Sequence, residues 1–261
     1  MLQKYDTLNT VSFLLQTDTM SMLVIDIETM GLKIETHCIT VIGIILYDPV
    51  LKCTVRSHAF NVLQDEESGH TEKIVDAKNA VIKLMLECNR IVVFNGLRFD
   101  MPFIMRWLQQ APMPTSEHAV PDVYNSFPKK CVDFCADCFE LAGNYVSLNN
   151  LCVLNKLDVC KSGDGAQAVV WAKQKKWKQL AEYCMQDVDV LLQLTQHALA
   201  HGLVFPYGRM FTGTVPVHTR FLSYDHNCEA LREKTSFVEA APVKATDTKI
   251  FTAVCQDIFE P

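Results

Sequence analysis

The chain of 261 residues carries a formal net charge of −6 and is 49% apolar and 21% charged. This composition supports a folded core and excludes a wholly disordered chain, and the acidic balance argues against a protein that coats nucleic acid by charge alone. The sequence holds no apolar run near the ~18 residues that span a bilayer, and residues 1–20 lack the pattern of a secretory signal. We therefore expect an intracellular protein, cytoplasmic or nuclear and not secreted, whose 11 cysteines are reduced.

The first half of the chain predicts consecutive strands. Residues 1–20 are polar with scattered apolar residues and are expected to form an N-terminal arm. Apolar, β-rich runs separated by short turns predict an antiparallel meander of three strands, over 22–27, 38–47 and 52–60. A helix is predicted over 71–89, and a short strand over 90–94 ends at Asn95-Gly96.

The second half predicts mainly helices. A loop with several prolines is expected over 112–128, and Ser147 is expected to cap a helix that runs to Leu154. The other predicted helices cover 101–110, 131–141, 166–174 and 177–200. Residues 202–206 end the helical block, and the chain from Tyr207 onward is less regular. A mixed sheet flanked by helices fits this α/β order.

The first acidic cluster stands at the end of the first predicted strand. Asp26 and Glu28 are two residues apart, so both side chains point to one face, whereas Ile25 and Ile27 point to the other. Two carboxylates this close repel each other unless a cation neutralises them, and hard oxygen ligands suit Mg²⁺ or Mn²⁺. Taken alone, the cluster is equally compatible with exposed acids at a strand end.

Two more acidic residues follow, one at the start of a predicted helix and one on the face of another. Asp100 comes after the Asn95-Gly96 turn, where its simplest interpretation is a helix N-cap. Tyr183 and Asp187 are four residues apart on a predicted helix, about 40° from each other around its axis. The alternative for this pair is a surface helix with an exposed aspartate and a core tyrosine.

The three clusters together resemble the exonuclease motifs of the DEDD superfamily, which has the RNase H-like fold. Asp26-Ile27-Glu28 would be the first motif and Asn95 to Asp100 the second. Tyr183 to Asp187 would be the third, in the tyrosine form called DEDDy, because position 182 is Glu rather than His. The second motif is similar to that of the proofreading exonuclease of family B DNA polymerases, and Ser147–Leu151 resembles stand-alone relatives of that domain.

The resemblance covers about residues 20–202 and implies an architecture. We expect an RNase H-like mixed β-sheet, with three antiparallel strands followed by parallel strands, flanked by helices. The predicted exonuclease domain covers 21–206, after the arm at 1–20 and before a C-terminal extension at 207–261.

The resemblance also implies hydrolysis of a phosphodiester bond by two Mg²⁺ or Mn²⁺ ions. Asp26 would bridge both ions, Glu28 and Asp187 would hold the ion on the nucleophile side, and Asp100 would support the other. Tyr183 would orient the attacking water through its hydroxyl, which is a good hydrogen-bond donor but a poor base. The expected catalytic residues are thus Asp26, Glu28, Asp100, Tyr183 and Asp187, and the four acids are the expected metal ligands.

Substrate contacts are implied less directly. The backbone near Thr29 and Met30 would meet the 3′-hydroxyl, and Leu32 would wedge between the last two bases. Asn95 and Phe99 would line the pocket of the terminal nucleotide. For Leu32 and Phe99, a place in the core is an equally good interpretation.

The expected activity is therefore removal of mononucleotides from the 3′ end of single-stranded DNA, with replication or repair proteins as further expected partners and no membrane. RNA is the first alternative substrate, because ribonuclease D shares these motifs and the sequence does not fix the sugar. A non-catalytic nucleic-acid-binding domain on the same fold is the alternative of another class.

Three other patterns have ordinary explanations. Cys131, Cys135 and Cys138 have the spacing of an iron–sulfur motif, but the same spacing forms one stripe of a helix. His197 and His201 are four residues apart without an evident third ligand for Zn²⁺. A basic segment, 171–178, could contact nucleic acid, but a solvated helix face with core tryptophans is favoured.

Overall fold

A computed structural model describes residues 21–142, 145–159, 165–206 and 214–217. Its centre is a five-stranded sheet of order β3-β2-β1-β4-β5. The strands are β1 (Met22–Thr29), β2 (Ile39–Asp48), β3 (Cys53–Phe60), β4 (Arg90–Val93) and β5 (Cys131–Asp133). The first three pair antiparallel, β4 runs parallel to β1, and β5 runs parallel to β4. The predicted mixed sheet is therefore confirmed.

Helices follow the strands in an α/β arrangement. They are α1 (Val62–Glu67), α2 (Thr71–Glu87), α3 (Asp100–Leu108), α4 (Val120–Lys130), α5 (Phe134–Ala142), α6 (Leu148–Leu154), α7 (Gly165–Lys173) and α8 (Trp177–His201). The predicted cap of α6 is confirmed, because the Ser147 hydroxyl accepts a hydrogen bond from the Asn150 N–H at 3.2 Å. No helix in the described ranges is both long and apolar enough to cross a bilayer.

Alternation along β1 divides the core between the two faces of the sheet. Leu23, Ile25 and Ile27 pack with residues of α1 to α4 on one face. Met22 and Val24 pack with α5, α6 and α8 on the other. The side chains of Asp26 and Glu28 follow the second set by the same alternation, so they lie on the face that α8 covers.

Two predicted segments are wrong in type. The predicted loop over 112–128 contains α4, because Pro121 lies in the first helical turn, where a missing N–H costs nothing. The predicted helix over 131–141 begins only at Phe134, and its first three residues form β5 at the edge of the sheet. The short helix α1 was not predicted.

The predicted domain boundaries remain predictions. Residues 1–20, the proposed arm, lie outside the described residues, as does most of the proposed extension at 207–261. Strands β6 (Leu203–Pro206) and β7 (Thr214–Val217) pair antiparallel across the predicted boundary at 206. The side chain of Asn155 bonds both backbone groups of Val204 at 2.7 Å and so attaches β6 to the segment after α6.

Candidate metal centre

The site begins where helix α8 crosses the end of β1. Gly43 of β2 lies opposite Asp26 in the sheet register. A Cβ at Gly43 would meet Cys184 Sγ and Val188 Cγ2 of α8 at 2.9 Å, so only a glycine allows this close approach. The Cys184 thiol also donates to the carbonyl of Asp26 at 3.6 Å. Helix α8 is therefore held directly against the residues that carry the first acidic cluster.

This approach brings together three carboxylates that lie far apart in the sequence. Oxygens of Asp26, Glu28 and Asp187 all lie within 4.8 Å of one another. Glu28 and Asp187 are buried and Asp26 is half-buried. Three like charges in a partly dehydrated space repel strongly, and hard oxygen donors match the preference of Mg²⁺ and Mn²⁺. The residues present therefore fit a divalent cation.

Tyr183 lies one helical turn before Asp187 and joins the same group. Its hydroxyl donates a hydrogen bond to the Asp187 carboxylate, and its ring packs edge-on against Trp171 with centroids 5.5 Å apart. Burial raises the pKa of Tyr183, and the charges of Asp187, Glu28 and Asp26 raise it further. The hydroxyl thus stays protonated at neutral pH and acts as a donor.

Asp100 reaches the site from the opposite direction. It is the first residue of α3 rather than its N-cap, so the simplest interpretation of the sequence is wrong. Its carboxylate accepts a hydrogen bond at 3.1 Å from the N–H of Ile27, which lies between Asp26 and Glu28. That N–H lies beyond Val24, the last residue of β1 paired with β4, so the aspartate replaces the missing strand neighbour.

The pKa of the Asp100 carboxyl depends on its burial and on the charged groups around it. Burial raises the pKa of this carboxyl well above its usual range, and the negative charges of Asp26 and Asp133 raise it further. The Ile27 N–H opposes this effect. Asp100 therefore belongs to the same acidic field, although the group whose oxygens lie within 4.8 Å contains only the other three acids.

Asp133, which was not predicted from the sequence as a functional residue, organises the turn before Asp100. This buried side chain at the end of β5 accepts hydrogen bonds from the N–H groups of Asn95 (2.8 Å), Leu97 (3.0 Å), Cys135 (3.0 Å) and Ala136 (3.2 Å). The last two bonds make it the cap of α5. An aspartate just before the apolar residues 134–135 is an N-cap signal, but the cysteine stripe favoured an uninterrupted helix.

The five predicted substrate contacts occupy different environments. Thr29 is buried, and its hydroxyl donates to the Gly31 carbonyl at 2.8 Å. Met30 packs near Tyr183 in the small cluster beneath α7 and α8. Leu32 is 82% exposed, so its interpretation as a core residue is wrong.

The two predicted contacts of the second motif lie on the turn and at the start of α3. Asn95 has a φ of 60°, the left-handed conformation that asparagine tolerates, and this favours its presence in the turn. Phe99 is half-buried and packs on Phe103, with ring centroids 5.0 Å apart. Phe99 thus belongs partly to the core that α3 shares with the sheet.

The alternative metal motifs gain no support from the structure. Burial raises the pKa of Cys131 well above its usual value, that of Cys135 to about 11 and that of Cys138 to about 12, so these thiols stay protonated. Within the described ranges, the only group of three possible ligands that share one small space is Asp26, Glu28 and Asp187. Trp171 and Trp177 pack partly into the core, as the ordinary interpretation of their segment predicted.

Comparisons with known proteins found similar solved structures and one matching family model. Exonuclease I, in a structure described as suggesting how processivity is achieved, matches with 13% identity and a TM-score of 0.45, over 69% of this chain and 41% of its own. Exonuclease I of E. coli in complex with a dT13 oligonucleotide matches with 12% identity and a TM-score of 0.43, again over 69% and 41%. The chain therefore spans about two-fifths of the length of these proteins. No curated protein sequence matches it. The family model of the RNase H superfamily matches residues 23–199, and the chain belongs to that superfamily.

Proposed function

We propose that this chain is a metal-dependent 3′→5′ exonuclease that releases nucleoside monophosphates from single-stranded DNA. The observation that carries the proposal is the convergence of Asp26, Glu28 and Asp187 within 4.8 Å, with the Tyr183 hydroxyl bonded to Asp187. Membership of the RNase H superfamily supports a nuclease in general terms. The direction and the substrate rest on the resemblance of the three motifs to DEDDy exonucleases.

The acidic residues would hold the cations and the tyrosine would hold the water. Asp26, Glu28 and Asp187 are the proposed ligands of the nucleophile-side ion, and Asp26 with Asp100 would serve the second. When bound, two Mg²⁺ or Mn²⁺ ions would supply an acidified water and neutralise charge on the scissile phosphate. Asp100 additionally fixes β1, because its hydrogen bond to Ile27 sets the backbone between the first two ligands.

In this proposal, Tyr183 orients the attacking water and does not deprotonate it. Its raised pKa keeps the proton on the hydroxyl, so it can donate to a water or to Asp187 but cannot take a proton at neutral pH. The edge-on contact with Trp171 restrains the ring, which favours one orientation of that donor.

The proposed contacts with the strand end lie on the loop after β1. The exposure of Leu32 supports its role as a wedge between the last two bases, since an apolar side chain in water gains by stacking on them. Thr29 and Met30 would present backbone to the 3′-hydroxyl, and Asn95 and Phe99 would flank the terminal nucleotide.

The test is degradation of 5′-labelled single-stranded DNA and of the matching RNA, with Mn²⁺ and with chelator. We expect a descending ladder on DNA that chelator abolishes and that Asp26→Ala and Asp187→Ala both abolish. Asp158→Ala is the matched control, because that aspartate is exposed and outside the cluster. A ladder that survives chelator, or full activity in Asp187→Ala, would contradict the proposal.

A 3′-labelled strand tests the direction of degradation separately. Release of the 3′ label as the first product supports the proposed polarity, whereas mononucleotides released first from the 5′ end would overturn it. A ladder on RNA alone would replace the DNA substrate by the RNA alternative while leaving the metal centre in place.

A further inference from the structure

An exposed arginine lies in the turn that Asp133 organises. Arg98 is two residues before Asp100 and is exposed. Its guanidinium Nη1 donates a hydrogen bond to the hydroxyl of Tyr145, and its Cζ lies 5.5 Å from the centre of the tyrosine ring. A cation is thus kept beside an aromatic ring, close in sequence to a proposed ligand.

Tyr145 is itself supported from beneath. Its ring stacks on Phe139 with centroids 4.3 Å apart and an interplanar angle of 19°. Tyr145 nevertheless remains 48% exposed. The ring is therefore rigidly oriented while nearly half of the residue stays in contact with water, an arrangement that leaves aromatic surface open to a ligand.

These side chains belong to the same edge of the sheet as the acidic cluster. Strands β1 and β4 are parallel, so their carboxyl ends meet at one edge. Asp26 and Glu28 lie at the end of β1, and the turn of Arg98 follows β4. The bonds from Asp133 to the N–H groups of Asn95 and Leu97 fix that turn immediately before Arg98.

We infer that Arg98 and Tyr145, supported by Phe139, form a binding platform for a nucleotide upstream of the bond that is cut. Tyr145 stacks on the base and Arg98 contacts a phosphate. The inference rests on the proposed function, because it assumes a single-stranded substrate that ends at the acidic cluster. Aromatic stacking combined with arginine is the usual chemistry of single-strand binding.

Charge gives an independent reason for a cation here. The carboxylates repel the phosphates of an approaching strand, and an arginine at the same edge offsets this repulsion. The charge of Arg98 also reaches the start of α5, where it opposes the burial that raises the pKa of Cys135. The competing explanation is that the contact only fastens the segment after α5 to the turn before α3.

Binding of a short single-stranded oligothymidylate in chelator, measured by fluorescence anisotropy, tests the inference without requiring cleavage. We expect Tyr145→Leu to raise the Kd by roughly 5- to 150-fold, the range of one lost base stack, whereas Tyr145→Phe keeps the ring and stays within about threefold. Arg98→Ala should lower the slope of log Kd against log salt by about 0.7. Arg56→Ala is the matched control, since Arg56 lies on β3 at the other side of the sheet.

A substrate with one nucleotide separates binding from folding. In Arg98→Ala and Tyr145→Leu, hydrolysis of the p-nitrophenyl ester of thymidine 5′-monophosphate should fall less than oligonucleotide binding does, because a single nucleotide does not extend to the platform. Parallel losses on both substrates with a lower melting temperature would assign the contact to structure and overturn the inference, as would an unchanged oligonucleotide Kd. If the wild-type chain binds the oligonucleotide through Arg98 and Tyr145 but cleaves neither substrate, the proposed function fails, and only the assignment of these residues to single-strand binding stands.

Discussion

Buried charge is treated differently on the two faces of the sheet. On the face covered by α1 to α4, the side chain of Lys78 is almost fully buried, and its Nζ donates to the carbonyls of Gln110 at 2.5 Å and Pro112 at 2.9 Å. On the face covered by α8, oxygens of Asp26, Glu28 and Asp187 crowd within 4.8 Å. The positive charge of Lys78 thus faces the negative ends of backbone dipoles, whereas the three negatively charged carboxylates face one another.

The difference distinguishes a structural charge from a binding site. A buried ion that faces backbone dipoles has its hydrogen bonds supplied by the fold itself, so it needs no ligand. Asp133 follows the same pattern with the opposite sign, since four backbone N–H groups point at its carboxylate. Three converging carboxylates instead cost stability, which a divalent cation would restore, and this supports our proposal that the α8 face binds the cation.

The largest effect should come from removing one member of the cluster. We expect Asp187→Asn to lower the rate of DNA hydrolysis by at least ~10³-fold, about 4 kcal/mol of barrier, because it removes a proposed metal ligand. In chelator, the same change should raise the free energy of unfolding by up to about 1 kcal/mol, since it relieves repulsion. Denaturant titration with and without Mn²⁺ measures this, with Asp158→Asn as the exposed control. A variant less stable than the wild-type chain in chelator would break the distinction between the faces.

A smaller effect is expected from the donor that serves the cluster. Tyr183→Phe keeps the ring against Trp171 and removes only the hydroxyl that bonds Asp187. The rate should fall by ~10- to 100-fold, about 1.4–2.8 kcal/mol of barrier. The affinity for Mn²⁺, followed by calorimetry, should change less than twofold. An equal loss of metal binding would mean that the hydroxyl organises the ligands rather than the water.

How far the sequence predicts this site depends on the range of the interactions involved. Asp26 and Glu28 could be placed on one face because strand alternation is local, and Tyr183 and Asp187 because helical spacing is local. The role of Asp133 could not, since its partners Asn95 and Leu97 lie 38 and 36 residues away. The need for the glycine in β2 could not be predicted either, because the helix that packs against it, α8, lies far away in the sequence.

That glycine provides the third test, because it sets how closely α8 can approach β2. Gly43→Ala adds a methyl 2.9 Å from Cys184 Sγ and Val188 Cγ2, so α8 must move away from β2. We expect a loss of about 1–3 kcal/mol of stability and, because Asp187 moves with the helix, a roughly tenfold loss of rate. Gly165→Ala is the matched control, since a Cβ there meets nothing within 4 Å. Unchanged activity in Gly43→Ala would show that the helix position does not set the cluster.

The smallest effect on activity is expected from the charge on the opposite face. Burial lowers the pKa of Lys78 from its ordinary value of 10.5 to about 8, while the charge of Glu66 opposes that shift. Between pH 8 and 10.5 the unfolded chain therefore binds the proton that the folded chain has lost. Since stability rises with pH wherever the unfolded state binds more protons, this lysine should make the folded state gain stability across that interval.

Lys78→Met should remove this dependence while leaving the rate of DNA hydrolysis within twofold. The difference in unfolding free energy, wild type minus variant, should grow by no more than about 3 kcal/mol from pH 8 to 10.5, with the other groups cancelling between the two proteins. Lys83→Met on the same helix, where the lysine reaches Glu87 at 4.0 Å near the surface, is the matched control. A flat difference for Lys78 would mean that its carbonyl partners hold the proton as firmly as water does. A large loss of activity in Lys78→Met would instead mean that the two faces are coupled through the sheet. The carboxylate cluster would then depend on a charge with which it makes no contact.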